Sequence, residues 1–203
     1  MVIPLPTVIF VVGLAGTGKT TFSKLLAEKL ENSFLINKDS INNSFLIKKF
    51  IVEDRPPKIL KNLSYCRASK FYFDHVRMQS YLCMLNLAAD NLKIGKHPIL
   101  DGNFTKEIIN GNFKRNFLPF FEKTPGHSAK VILCTSEEKT LKARILSRAL
   151  KRDREKTLSA ESWSDFFSQQ TAIEIELEGV DHFKIETTTD SKQVLEKALS
   201  FIL

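Results

Sequence analysis

The chain has 203 residues, 43% hydrophobic and 26% charged, with a formal charge of +7. That length buries a sizeable core without disulfides or a structural metal, and that composition excludes a disordered or fibrous chain. The charge favours an anionic partner without naming one.

The opening run MVIPLPTVIFVVGLAG lacks a basic leading segment, holds two prolines and flows into a glycine loop. It reads as a core strand from Thr7 to Val12 rather than a signal peptide or membrane span, and cytoplasmic residence is expected. Cys66, Cys83 and Cys134, odd in number and set in apolar sequence, fit reduced thiols, and the scattered histidines offer no zinc spacing. Leu and Ala recur at helical spacing over residues 19–30, and Ser33–Asn37 is a second strand ending just before Asp39. A helix from Ser40 is interrupted by the adjacent prolines of EDRPPK, which open a helical insertion over about residues 40–80.

Helical periodicity runs from Leu63 to about Lys93, where Gly95 stops it. HPIL with Asp101 forms a third strand, Ile108–Phe121 a helix, and AKVILCT a fourth strand buried on both faces. Helices over Glu137–Arg152 and about Ala160–Ala172 occupy a lid region near residues 136–172, and HFKIET and SKQVLEKALSFIL are a last strand and helix. Strands alternating with helices predict one domain over residues 1–203. The expected class is α/β, a three-layer α/β/α P-loop fold on a mostly parallel five-stranded sheet.

Between the first strand and first helix stands Gly13-Leu14-Ala15-Gly16-Thr17-Gly18-Lys19-Thr20, followed by Thr21. This matches the full eight-residue P-loop pattern in the context it requires. The glycines let successive N–H groups turn inward on an anion, and the helix start adds its positive dipole end. Lys19 suits the β- and γ-phosphates and the Thr20 hydroxyl suits Mg²⁺, so the expected ligands are ATP and Mg²⁺.

Phosphoryl transfer also needs a group for the acceptor proton, a metal anchor and cations on the γ-phosphate. Asp39 is the candidate base, or else a helix N-cap, a role that Ser40 also suits. Asp101 is the candidate metal anchor, or an Asp-Gly turn residue. Arg144, Arg148 and Arg152, at four-residue steps, predict one cationic helical face closing over the phosphates, or a solvated face partnered by Glu137, Glu138 and Asp153. The loop IETTTDS, with Thr187, is placed to meet the adenine, or caps the last helix through Thr189 or Asp190. Tyr65, Arg67, Lys70, Phe71 and Asp74 fall at helical spacing on the acceptor side, a pattern that also fits plain core.

The order of these segments, GLAGTGKTTFSKLLAEKL, INKDSIN, LAADNLKIGKHPILDGNF and VILCTSEEKTLKARILSRALKRD, resembles along nearly the whole chain the small P-loop kinases. These include bacterial zeta toxins, polynucleotide 5′-hydroxyl kinases and the AAA-domain ATP-binding proteins grouped with them. The resemblance implies Asp39 as the acceptor-activating aspartate, Asp101 as the aspartate after the third strand, and Arg148 and Arg152 as lid arginines, with Arg144 bracing its helix. Many members carry Arg two or three residues after the first Asp, whereas Asp39 is followed by Ser40, Ile41 and Asn42. That departure turns the expectation away from a nucleoside monophosphate and towards an uncharged hydroxyl acceptor. The expected activity is Mg-ATP-dependent transfer to a hydroxyl, on a small molecule or on a nucleic-acid 5′ end. The alternative is a nucleotide-dependent switch or slow ATPase acting through a protein partner.

Overall fold

The computed structural model describes residues 4–48, 63–64, 70–122, 126–187 and 191–203. Five parallel strands, β1 (Thr7–Val12), β2 (Ser33–Asn37), β3 (His97–Asp101), β4 (Ser128–Thr135) and β5 (His182–Glu186), form a sheet in the order β2-β3-β1-β4-β5. The β-branched run of β1 occupies the centre because each of its residues is buried, on whichever face it points to.

Alternation along β1 assigns the two cores. Val8, Phe10 and Val12 face a layer that includes α3 (Arg77–Leu92), α6 (Glu138–Arg148) and α7 (Ala160–Glu176). Ile9 and Val11 face α1 (Lys19–Lys29) and α8 (Ser191–Ile202). On the first face Phe10 meets Phe104, Phe113 and Phe121 edge to face at centroid distances of 5.6, 5.1 and 5.7 Å. Phe104 adopts φ 50°, a costly conformation for a bulky residue, and its fully buried ring offsets that cost. The turn sends the chain from β3 into the short α4 (Thr105–Ile109) across the mouth of the sheet.

Three helical expectations are corrected. Leu63 and Ser64 are extended, paired antiparallel with Lys48 and Ile47; the described helical run begins at residue 70 and passes through a π-turn, Tyr72–Val76, into α3. The helix expected over Ile108–Phe121 is split at Gly111, φ 72°, into α4 and a later segment from Phe113 through α5 (Leu118–Glu122). The helix expected to reach Arg152 stops at Arg148, because Ala149 turns left-handed (φ 47°) and the chain re-forms as a 3₁₀ turn, Lys151–Thr157. No described helix is long and apolar enough to cross a membrane.

Candidate functional site

At the carboxyl ends of β1, β2 and β3, where an open parallel sheet presents its loops, lies a cavity of about 840 Å³. The P-loop forms its floor. Gly13, Gly16 and Gly18 all have positive φ, and a Cβ on Gly13 would stand 2.2 Å from the Cys134 carbonyl, so only glycine lets the loop pass under β4. Leu14 turns its side chain into the core while its carbonyl accepts from Thr17 N, Thr17 Oγ1 and Lys19 Nζ, the last at 2.5 Å. Ala15, Gly16, Gly18, Lys19, Thr20 and Thr21 border the cavity. Burial lowers the Lys19 pKa and the nearby Arg148 lowers it further, against the raising influence of Asp101 and Asp39.

Asp101 ends β3 with 3% of its surface exposed. One carboxylate oxygen, Oδ2, accepts from Thr20 Oγ1 at 2.7 Å and from Asn37 Nδ2 at 2.6 Å. Burial raises its pKa, opposed by these two bonds and by Lys19. The donor set fits Mg²⁺: a hydroxyl and an adjacent hard carboxylate oxygen beside the P-loop leave the remaining positions to phosphate and water, as this ion prefers. No cluster of three acidic, histidine or cysteine ligands occurs among the described residues.

Asn37 removes the capping reading of Asp39. Its Oδ1 accepts from Ser40 N at 3.0 Å, so Asn37 caps α2 (Lys38–Leu46), and Asp39 lies inside the first turn with its side chain on the cavity. Neither Asp39 nor Ser40 is the cap.

The expected three-arginine stripe is two residues long on α6. Arg144 lies within the helix, and its Nη1 donates to Thr187 Oγ1 (2.9 Å) and its Nη2 to Thr187 O (3.1 Å). Thr187 Oγ1 in turn donates to Thr17 O at 2.6 Å, tying the end of β5 to the P-loop. Arg144, Thr187, Gly18, Thr21, Phe22 and Leu25 line a second cavity of about 250 Å³ beside the loop. Residues 188–190, the other cap candidates, lie outside the described residues.

Arg148, a turn further along, borders the main cavity. Its Nε donates to Asp153 Oδ2 at 2.6 Å, and its buried Nη2 has no hydrogen-bond partner among the described residues. Asp153 is 3% exposed and also pairs with Lys156. Burial alone would raise the Asp153 pKa, but the bonds and charges of Arg148 and Lys156 outweigh it and hold the carboxyl below its ordinary value. Arg152 belongs to the 3₁₀ turn, and Ala149 separates it from the α6 face. Glu138 partners Trp163 Nε1 at 2.7 Å rather than an arginine.

On the far wall the described members of the helical pattern do not border the cavity, and Phe71 follows the core alternative. Tyr65 and Arg67 lie outside the described residues, Lys70 and Asp74 pair with each other at the surface, and Phe71 packs on Tyr72 and Val76. Tyr72, Phe73, Arg77 and Tyr81 line the cavity instead, because the π-turn adds a residue and rotates the face. Lys38 joins them, 5% exposed, with Nζ 3.2 Å from Tyr72 Oη and 4.1 Å from the Tyr81 ring centroid. Glu107 of α4, 2% exposed, accepts from Tyr81 Oη at 3.0 Å and pairs with Arg77. Desolvation raises the Tyr81 pKa well above its ordinary value, helped by Glu107. Nothing in the chain's local pattern singles out Lys38, between Asn37 and Asp39, or Glu107, between Lys106 and Ile108.

The matched family model, described as AAA domain, covers residues 8–172. No curated protein matches the sequence. Among solved structures, a provisionally named kinase of Chloroflexus aurantiacus superposes with a TM-score of 0.66 at 20% identity, covering 97% of this chain and 98% of that one. A gluconokinase of Sinorhizobium meliloti gives 0.56 at 15% identity (98% and 92% covered). Shikimate kinase of Acinetobacter baumannii, in complex with shikimate, gives 0.57 at 18% (98% and 93%). At these identities the likeness is one of fold, and the fold is that of small P-loop kinases. With the P-loop, the 2-3-1-4-5 strand order and a family match over most of its length, the chain belongs to the AAA-domain family of P-loop, kinase-like proteins.

Proposed function

We propose that the protein is a Mg-ATP-dependent kinase that transfers the γ-phosphoryl group to a hydroxyl of a small molecule. The observation carrying this reading is convergence: Lys19, Asp39, Asp101 and Arg148 border one cavity, and Arg148 brings to it a buried Nη2 with no partner among the described residues.

In this reading the amides from Gly13 to Thr20 cradle the phosphates, and Arg144 and Thr187, with Thr21, form the slot for the base. Asp39 accepts the acceptor's hydroxyl proton as that oxygen bonds to the γ-phosphorus; the bond from γ-phosphorus to the bridging oxygen breaks, that oxygen leaves on ADP, and Asp39 later returns its proton to solvent. Lys19 and Arg148 follow the charge on the moving phosphoryl group, with Arg152 in the adjoining turn assigned to the same task. Thr20 and Asp101 would hold Mg²⁺, which when bound neutralises charge shared by the β- and γ-phosphates.

The test is incubation with γ-labelled ATP, Mg²⁺ and the small-molecule fraction of a cell extract. Label is expected in a discrete small organic product. Label appearing solely as inorganic phosphate, at a rate indifferent to the fraction, would support the slow-ATPase alternative instead.

A further inference from the structure

The far wall of the cavity is built from charges as well as aromatics, and their pairing is uneven. Glu107 has both oxygens engaged, Oε1 by Arg77 and Oε2 by Tyr81, and almost none of its surface reaches solvent. Its negative charge is thus neutralised inside the wall. Arg77 offers one terminal nitrogen to that pair and keeps the rest of a five-donor guanidinium, its side chain 20% exposed, on the cavity.

Lys106, next to Glu107 in sequence, also borders the cavity and sets its ammonium 4.5 Å from the centroid of the Phe73 ring, itself a cavity residue. Among the described residues no carboxylate lies within ion-pair reach of Lys106. Lys106 therefore brings to the cavity a positive charge that no carboxylate among the described residues pairs, and Arg77 brings guanidinium donors beyond the one Glu107 holds. A neutral polyol would leave the Lys106 charge without a counter-ion. An anion would supply one, in a walled cavity where field lines concentrate.

Resting on the kinase reading above, we infer that the acceptor carries an anionic group, a carboxylate or a phosphate, in addition to the hydroxyl that is phosphorylated, and that Arg77 and Lys106 recognise it. Glu107 is a positioning residue: it fixes the guanidinium of Arg77 so that its free edge is presented to the anion. This reverses the expectation of an uncharged acceptor drawn from the missing arginine after Asp39. The cation is supplied by the third helix and by Lys106, far away in sequence.

The experiment measures binding and transfer separately. Aldonic acids of graded length, the matching neutral alditols, the matching sugar phosphates and a short 5′-hydroxyl oligonucleotide are titrated against the full chain with a non-hydrolysable ATP analogue and Mg²⁺. The same compounds are then assayed with γ-labelled ATP. The acids or the phosphates should bind about ten- to a hundredfold better than their neutral partners, the range expected for a charged hydrogen bond; which of the two series prevails separates carboxylate from phosphate.

Lys106→Gln, at an exposed position, and Arg77→Gln should each shrink that ratio while leaving affinity for the ATP analogue unchanged. Should Arg77→Gln fail to fold, Lys106→Gln alone carries the comparison. Alditols binding as well as the anions, an unchanged ratio in Lys106→Gln, a preference for the oligonucleotide, or no binding by any small anion would overturn the inference. Anions that bind selectively but receive no label would uphold it while sinking the kinase reading. Label transferred to alditols alone would do the reverse.

Discussion

The two ends of the cavity are made by different means. At the end proposed for the nucleotide the surface is largely main chain, a run of consecutive residues whose three glycines carry positive φ and whose Leu14 side chain turns into the core. At the end proposed for the acceptor the surface is side chain: Lys38, Arg77, Tyr81 and Glu107 come from three helices and meet through hydrogen bonds and ring contacts. A main-chain site tolerates little variation in backbone conformation but fits any triphosphate, whereas a side-chain site can be rebuilt residue by residue for a new acceptor. The difference predicts that damage at the first end abolishes the reaction and damage at the second redirects it.

The sharpest way to break that division is Lys19→Ala. Removing the ammonium that lies across the loop should lower transfer by about three orders of magnitude and weaken ATP binding; a radiometric assay with parallel calorimetry checks both. Arg148→Gln should cost transfer about a hundredfold, with ATP affinity changed far less, because its interaction is strongest with the moving phosphoryl group.

Asp153→Asn probes Arg148 from behind. Its carboxylate orients Arg148 and Lys156 without bordering the cavity itself, so kcat should fall by about tenfold through misplacement while KM for ATP holds. The same substitution has a stability signature. A carboxyl held below its ordinary value of 3.8 contributes stability that is fully present above that value and lost as pH falls through the lower folded one. Acid unfolding of the variant should therefore depend less steeply on pH in that window, as circular dichroism would record.

The smallest effect is expected for Arg144→Ala, which empties one side of the base slot and breaks two bonds to Thr187. A rise in KM for ATP of about fivefold, the scale of one cation–ring contact, with kcat held, distinguishes a base-side role from a phosphate-side one.

The same division explains what was readable in the sequence. The sheet was legible because its central strands, β1 and β4, are continuous apolar runs and helical segments alternate with the strands, and the P-loop because its chemistry needs contiguous residues. Asp101 and Asp39 were legible as strand-end carboxylates, although the capping role open for Asp39 required the Asn37 contact to remove it. The lid stripe was misread because four-residue spacing assumes an unbroken helix, and one left-handed Ala149 displaced Arg152. The acceptor wall was missed by a one-residue rotation at the π-turn and because Glu107 meets Arg77 and Tyr81 across 30 and 26 positions of chain. Periodicity within one element does not encode such meetings.

Asp39→Asn addresses the central claim most directly, since it alters only the group assigned to the acceptor's proton. ATP affinity, read by calorimetry, should match the wild type, while label transfer to the small-molecule product falls by roughly two to four orders of magnitude. Transfer at the wild-type rate in a variant that still binds ATP would contradict the account.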